Sequence, residues 1–365
     1  MKRILIALLA LPSALLGDST TVINEVYYHP ADDSQTEWVE LANTMSYDMD
    51  LGGWSLTGAV EYAFPEGTTI AAGRFVVVAA DPAKVQLRSI LETALGPFEG
   101  RLSNQGERIE LRNVSGRLMS WVDYNDREPW PVAADGAGAT LAKVDSETDS
   151  KSVENWRASL QFGGTPGGEN FPAATSHTLA INEVSPMGWL EIGSTGEEAV
   201  NLQDHVIGVA GDPQRETLLP SIAIQGGIFA VLNKEQLGFE LMDGDLVCLY
   251  SPNKKDVLDA VLADEVLRGR SGKHPGRWLF PSEPTQGTAN AFALNDAIVI
   301  NEILYRPYPL QPSPPTPPAF EQEDLSGPDS NWHFWQGVPQ RDDAWRQLEF
   351  DSSEWETGAP PFKGG

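Results

Sequence analysis

A single cysteine, Cys248, stands among 365 residues, so neither an internal disulfide framework nor a thiolate metal cluster is available to this chain. Basic residues are scarce as well: 25 Lys and Arg face 52 Asp and Glu, for a net charge of −27. A nucleic-acid binder gains affinity by displacing counterions with a basic footprint, and an anionic membrane surface attracts the same kind of patch. The field of this chain has the wrong sign for both. Beyond the N-terminus no apolar segment is long enough to span a bilayer. There is no His-Glu-x-x-His pair, no Gly-x-Ser-x-Gly elbow and no phosphate-cradling loop ending in Gly-Lys-Ser/Thr. The five histidines (His29, His177, His205, His274 and His333) are scattered without ligand spacing and read as surface or loop residues. Cys248 lies in the apolar run Leu246–Tyr250 with no cation close in sequence, which marks a buried, inert thiol. No catalytic and no cofactor-binding residue is assigned.

What is present is a chain of ordinary charged fraction, 21%, with 41% apolar residues, 34 Gly and 27 Pro. That composition supports packed cores rather than disorder, and the length predicts two or three domains. Carboxylates are so abundant that a catalytic acid pair cannot be nominated without geometry. Asp32 with Asp33, Asp123 with Asp126, and Asp243 with Asp245 are oxygen-ligand pairs that suit Ca2+, but none sits in a recognised loop and a solvated face is the plainer reading. Asn113-Val114-Ser115 has the form of an N-glycosylation acceptor.

Lys2 and Arg3 precede an apolar stretch from Ile4 to Leu16, and polar residues begin at Asp18. This pattern predicts a secretory signal peptide over residues 1–17, with cleavage near Gly17, although Leu15 is a poor residue two positions upstream. A buried N-terminal helix is the alternative. The prediction places the mature protein outside the cell or on its surface, with the periplasm as the alternative, and with no membrane span after cleavage.

Ile-Asn-Glu followed by Val or Ile occurs at Ile23–Val26, Ile181–Val184 and Ile300–Ile303. Further matches follow the first two copies in the same order. Trp38-Val39-Glu40-Leu41 pairs with Trp189-Leu190-Glu191-Ile192, and Gly106–Leu111 pairs with Gly244–Leu249. Val122-Asp123 pairs with Leu258-Asp259, and Thr165-Pro166-Gly167 before Asn170 pairs with Thr285-Gln286-Gly287 before Asn290. Residues 20–172 and 178–292 therefore read as two copies of one domain. Within each, apolar runs of four to eight residues rich in Val, Ile, Phe and Trp are separated by Gly, Pro, Asn and Asp, the pattern of an all-β sandwich or barrel. The spacing of Val85, Ile90, Leu91 and Leu95 predicts one short helix over 83–95. Strict strand alternation puts Ile23 and Glu25 on one face and Asn24 and Val26 on the other, which leaves the burial of Glu25 open.

Leu51-Gly52-Gly53-Trp54-Ser55-Leu56, Tyr62-Ala63-Phe64-Pro65, Ile70-Ala71-Ala72-Gly73 and Val76–Ala80, with the Ile-Asn-Glu-Val and Trp-Val-Glu-Leu strands, closely resemble the lamin-tail domain. Leu102–Glu107 and Gly163–Gly167 resemble its secreted bacterial branch. The resemblance covers 20–172. It is looser over 178–292, where His205 replaces Trp54, no Phe-Pro pair precedes Ile224 and the first loop is shorter. It implies tandem immunoglobulin-like β-sandwiches and supplies no catalytic residue. Trp38 and Trp54 then read as core fillers rather than ligand platforms.

Residues 298–307 begin a third repeat that no recognisable domain follows. Residues 308–330 form a Pro-rich linker, which favours extended polyproline II, and 331–365 hold four of the eleven Trp. Asn331–Phe334, Ala344–Arg346, Phe350–Trp355 and Gly358–Phe362 resemble the start of a galactose-binding-like segment, here incomplete. Two functions fit. One is a non-catalytic extracellular or cell-surface binding and adhesion scaffold whose partner is a protein or polysaccharide. The other is the N-terminal targeting portion of a larger secreted enzyme, because lamin-tail modules resemble companions of spore-coat-type kinases, nucleases and hydrolases. Both expect no turnover from these residues and no nucleic-acid partner.

Overall fold

The structure, a computed structural model, describes residues 20–87, 93–172, 177–272 and 277–293, together with the strand backbone at 332–334 and 356–358. The signal-peptide, third-repeat and Pro-rich-linker assignments lie outside the described residues. The chain divides into two compact units, residues 1–294 and 295–365.

The first half of the larger unit contains β1 (Thr21–Tyr27), β2 (Trp38–Asn43), β3 (Met49–Asp50), β4 (Ser55–Gly58), β5 (Val60–Ala63), β6 (Thr69–Ile70), β7 (Phe75–Ala79), β8 (Glu99–Gly100), β9 (Gly106–Arg112), β10 (Leu118–Asn125), β11 (Leu141–Lys143) and β12 (Trp156–Ala158). Two five-stranded sheets result, ordered β12-β11-β1-β2-β7 and β10-β9-β4-β5-β8, with β3 paired to β6. All of these pairings are antiparallel. The sheets close on a core that includes Ile23, Val26, Leu41, Trp54, Leu56, Ile109, Leu111, Val122 and Trp156. Each large aliphatic side chain removed from water here contributes about 2 kcal/mol before entropy is counted. Trp54 sits in this core and Trp38 is buried beside Tyr27, as expected of fillers.

The second half repeats the strand order. It contains β13 (Leu179–Ser185), β14 (Trp189–Ser194), β15 (Val200–Asn201), β16 (Val206–Val209), β17 (Asp212–Leu218), β18 (Ala223–Ile224), β19 (Phe229–Leu232), α1 (Lys234–Leu237), β20 (Leu246–Tyr250), β21 (Val257–Leu262), β22 (Arg268–Arg270) and β23 (Trp278–Leu279). The sheets are β23-β22-β13-β14-β19 and β21-β20-β16-β17, around a core including Ile181, Val184, Ile192, Ile207, Val247, Leu249 and Val261. The fold is thus all-β, of sandwich type. In the smaller unit, β24 (Trp332–Phe334) pairs antiparallel with β25 (Glu356–Gly358).

The expected helix over 83–95 is corrected. Asp81 caps a single 3-10 turn, Pro82–Lys84, and Val85 is already extended. Val85 and Leu87 pack instead against the Tyr27–Trp38 cluster, and Leu95 forms a parallel bridge with Val78. Tertiary burial of these apolar residues outweighs their local helical spacing; residues 88–92 lie outside the described residues.

The two halves meet over an apolar patch. Val132, Ala133, Ala137 and Ala139, in the connection between β10 and β11, cover Val206, Leu246, Cys248, Tyr250 and Val257 on the second sheet of the other half. Val257 N donates to Leu160 O at 2.7 Å, Phe162 N donates to Lys255 O at 3.1 Å, and Arg268 pairs with Glu128 at 2.6 Å.

Candidate functional site

The repeated motif residues converge on a buried polar clamp. A β-bulge at Asn24 shifts the register, so that Ile23 faces Leu41 while Glu25 faces Glu40. The extra residue puts both Ile23 and Val26 in the core and turns Glu25 to the opposite side. Strict alternation therefore fails here, for a local backbone reason. Glu25 and Glu40 are both 0% exposed.

Bonds at both carboxylates tie down the segment that closes the sandwich. Thr165 N and Oγ1 donate to Glu25, at 3.1 Å and 3.0 Å, and Thr140 Oγ1 donates to the same carboxylate. Glu40 accepts from Asn24 Nδ2 at 2.8 Å and from Gly167 N at 2.6 Å. Asn170 Nδ2 returns to Asn24 O (3.0 Å) and Lys143 O (2.8 Å). Burial, and then the neighbouring charge of Glu25, hold the Glu40 carboxyl well above the usual carboxylate range.

The second half builds the same clamp from the matching residues. A bulge at Asn182 sets Glu183 opposite Glu191. Thr285 N and Oγ1 donate to Glu183, Asn182 Nδ2 donates to Glu191 at 2.7 Å, and Gly287 N donates to Glu191 at 2.5 Å. Asn290 Nδ2 reaches Asn182 O and Arg270 O, both at 2.9 Å. Burial raises both carboxyls, Glu191 further through Glu183.

One alignment from sequence is corrected by the strand register. Ser120 lies opposite Leu111 as Asp259 lies opposite Leu249, so Asp259 corresponds to Ser120, not Asp123. The chemistry agrees: Ile23 N donates to Ser120 Oγ (3.1 Å) and Ile181 N donates to Asp259 Oδ2 (2.8 Å). Arg270 neutralises Asp259 at 2.5 Å, although burial still raises that carboxyl. No sequence signal linked Ser120 to Asp259, because a hydroxyl and a carboxylate share only their role as acceptors.

The other candidates are dispersed. His29 Nδ1 meets Asp135 at 2.6 Å, and His177 and His205 contact backbone carbonyls of their own loops. His274 lies outside the described residues, and of His333 only the strand backbone is described. Cys248 is buried and its thiol is pushed up to about 12, chiefly by desolvation. Asp32 caps its own turn through Ser34, and Asp245 pairs with Arg215 at 2.6 Å. Among the described residues no group of three or more His, Cys, Asp or Glu is arranged to hold a metal ion. Asn113 Oδ1 accepts from Ser115 Oγ and from the amides of Ser115 and Arg117 in the β9–β10 turn. Among the described residues no helix is long and apolar enough to cross a membrane.

A cleft of about 430 Å3 opens beside the clamp, between the β1–β2 loop and Gly163-Gly164. A second hollow, of about 640 Å3, lies along the same loop near Asp33, Glu37 and Arg101. Sequence reasoning noted the length of this loop but not the clefts.

Residues 18–126, from the entry to β1 through β10, match the Lamin Tail Domain family. No curated protein sequence matches the chain. Among solved structures, the exo-chitosanase CsxA of Amycolatopsis orientalis is 13% identical over 65% of this chain and 26% of its own, at a TM-score of 0.16. A complex of that enzyme with PNP-beta-D-glucosamine gives 15%, 63%, 25% and 0.16. The chain spans about a quarter of the length of these structures. Residues 18–126 thus match a non-catalytic family whose immunoglobulin-like β-sandwich is the fold described above.

Proposed function

We propose that the chain is a non-catalytic extracellular or cell-surface scaffold, in which tandem lamin-tail sandwiches present binding loops to a protein or polysaccharide. The fate of the motif residues carries this reading. In both halves the Ile-Asn-Glu and Trp-x-Glu carboxylates are fully buried and spent on the closing segment, so the repeated acids act as staples. Function then falls to the loops in which the halves differ. The matched strand order and clamp support reading 178–292 as a divergent second lamin-tail domain. The Lys2-Arg3 apolar leader supports export, and the Trp-rich end supports a galactose-binding-like module.

Export is tested by mass spectrometry of the N-terminus in the extracellular fraction. A mature start near Asp18 is expected; a retained leader on an intracellular chain overturns it. Binding is tested by incubating the labelled full chain with cell envelopes and extracellular polymers of the source organism. Saturable retention is expected, and its absence overturns the scaffold reading. Duplex DNA at low salt is expected to show no shift.

A further inference from the structure

The β1–β2 connection runs over residues 28–37, whereas β13 and β14 are joined by residues 186–188 alone. The longer loop is built by its own side chains. Gln35 Oε1 accepts from Tyr27 OH at 2.5 Å and from Ala31 N at 3.3 Å. Asp81 N donates to Thr36 Oγ1 at 3.1 Å, and Lys84 Nζ donates to Asp33 O at 2.7 Å. Across from it stand Gly163 and Gly164, both in the left-handed region at φ +77° and +75°, where the second half has Glu283 and Pro284. A Cβ on Gly163 would come within 3.1 Å of Gln35 Nε2. The long loop and the bare glycines together leave the cleft of about 430 Å3 in the first half.

We propose that this cleft is a binding site for an uncharged saccharide, an inference that rests on the scaffold reading and names its ligand class. Its size falls within the range of small-ligand sites, roughly 300–1,000 Å3. Its polar groups are neutral: the hydroxyls of Ser34 and Thr36 and the amides of Gln35 and Gln86. Because Oε1 of Gln35 is already committed, Nε2 remains as a donor on the Gly163 side of the cleft. The one charged side chain lining it, Lys84, is anchored through the Asp33 carbonyl and keeps its charge; no carboxylate lines the cleft to draw a cation, and the net charge of −27 on the chain opposes an anion. Leu87, Phe162 and Pro166 supply an apolar wall for the C–H face of a sugar ring. A peptide bound by strand addition would require an open sheet edge. The neighbouring edge strand β7 is taken by Leu95, through Ala79 N to Leu95 O (2.9 Å) and Leu95 N to Val77 O (2.8 Å).

The test is calorimetric titration of the full chain with neutral cello-, xylo-, malto- and N-acetylchito-oligosaccharides. At least one series is expected to bind. Gln35→Glu, which keeps the acceptor for Tyr27 and Ala31, and Gln86→Trp, an exposed position that fills the cleft, are each expected to weaken binding at least tenfold. Gln225→Trp, on the second half, is expected to leave it unchanged. Circular dichroism verifies that the variants are folded. Sugar binding that survives both cleft variants overturns the site. Retention on cell envelopes through protein alone, with no neutral sugar bound, overturns the ligand class while the scaffold reading stands. Absence of binding to sugars and to envelopes overturns both.

Discussion

The second sheets of the two sandwiches carry opposite outer faces on the same frame. In β9 the outward residues are Arg108, Glu110 and Arg112, joined by ion pairs of 2.7 Å and 2.5 Å, with Arg108 stacked 4.0 Å above the Trp121 ring. The matching positions of β20 are Leu246, Cys248 and Tyr250, all buried. The difference follows from one connection. The 15 residues between β10 and β11 fold over the other half and bring Ala137 and Ala139 onto Cys248. The 5 residues between β21 and β22 are too few to cover anything similar. One sheet therefore meets water and the other a neighbour, while the clamp that holds each sandwich closed stays the same. Shared geometry here lies in the hydrogen bonds, and divergence lies in what each surface must face.

Reversing the outer faces should have the largest effect. Cys248→Glu places a charge with no partner under Ala137 and Ala139, and is expected to cost at least about 3 kcal/mol in urea unfolding. Its mirror, Glu110→Cys, is expected to cost less than about 1 kcal/mol, since the two arginines it leaves unpaired reach water. Equal effects would erase the contrast. The Cys248 thiol, raised to about 12, should also resist alkylation at pH 8 until denaturant is added.

The clamps should respond alike. Asn170→Ala orphans two buried carbonyls and Asn290→Ala two half-buried ones, and each should cost about 1–3 kcal/mol. A neutral result at one of them would show that the second clamp is not equivalent to the first.

A smaller effect concerns pH. The folded carboxyls of Glu40, Glu183 and Glu191 titrate above their unfolded values, so the folded state binds protons that the unfolded state releases. This contribution is fully present below the ordinary carboxylate range and declines as pH rises through the folded-state values. Melting temperature is expected to fall over that window, with a shallower slope in Glu40→Gln. The smallest effect belongs to the rim: Lys234→Ala breaks an exposed pair with Glu240 (2.9 Å) and should change stability by less than about 0.5 kcal/mol.

Much of this contrast can be read from the chain. Gly-Glu-Arg-Ile-Glu-Leu-Arg alternates and so marks a strand with one wet face, whereas Leu-Val-Cys-Leu-Tyr is apolar throughout and marks burial on both sides. The pairing of Glu25 with Glu40 could not be read that way. It depends on one bulged residue, Asn24, which strand alternation does not reveal. The helical spacing of Val85 and Leu95 misled for a related reason: their apolar side chains answer to Trp38 and to β7, not to each other.

The sequence alone determined the all-β class, the repeated strand order and the burial of Cys248, because these rest on local alternation, turn residues and composition. Tertiary structure decided which acids are buried, which hydroxyl stands in for which carboxylate, where the cleft opens, and that one sandwich covers the other. Those outcomes depend on contacts between residues far apart in the chain, such as Glu25 with Thr165 or Ala137 with Cys248, and no local pattern encodes them.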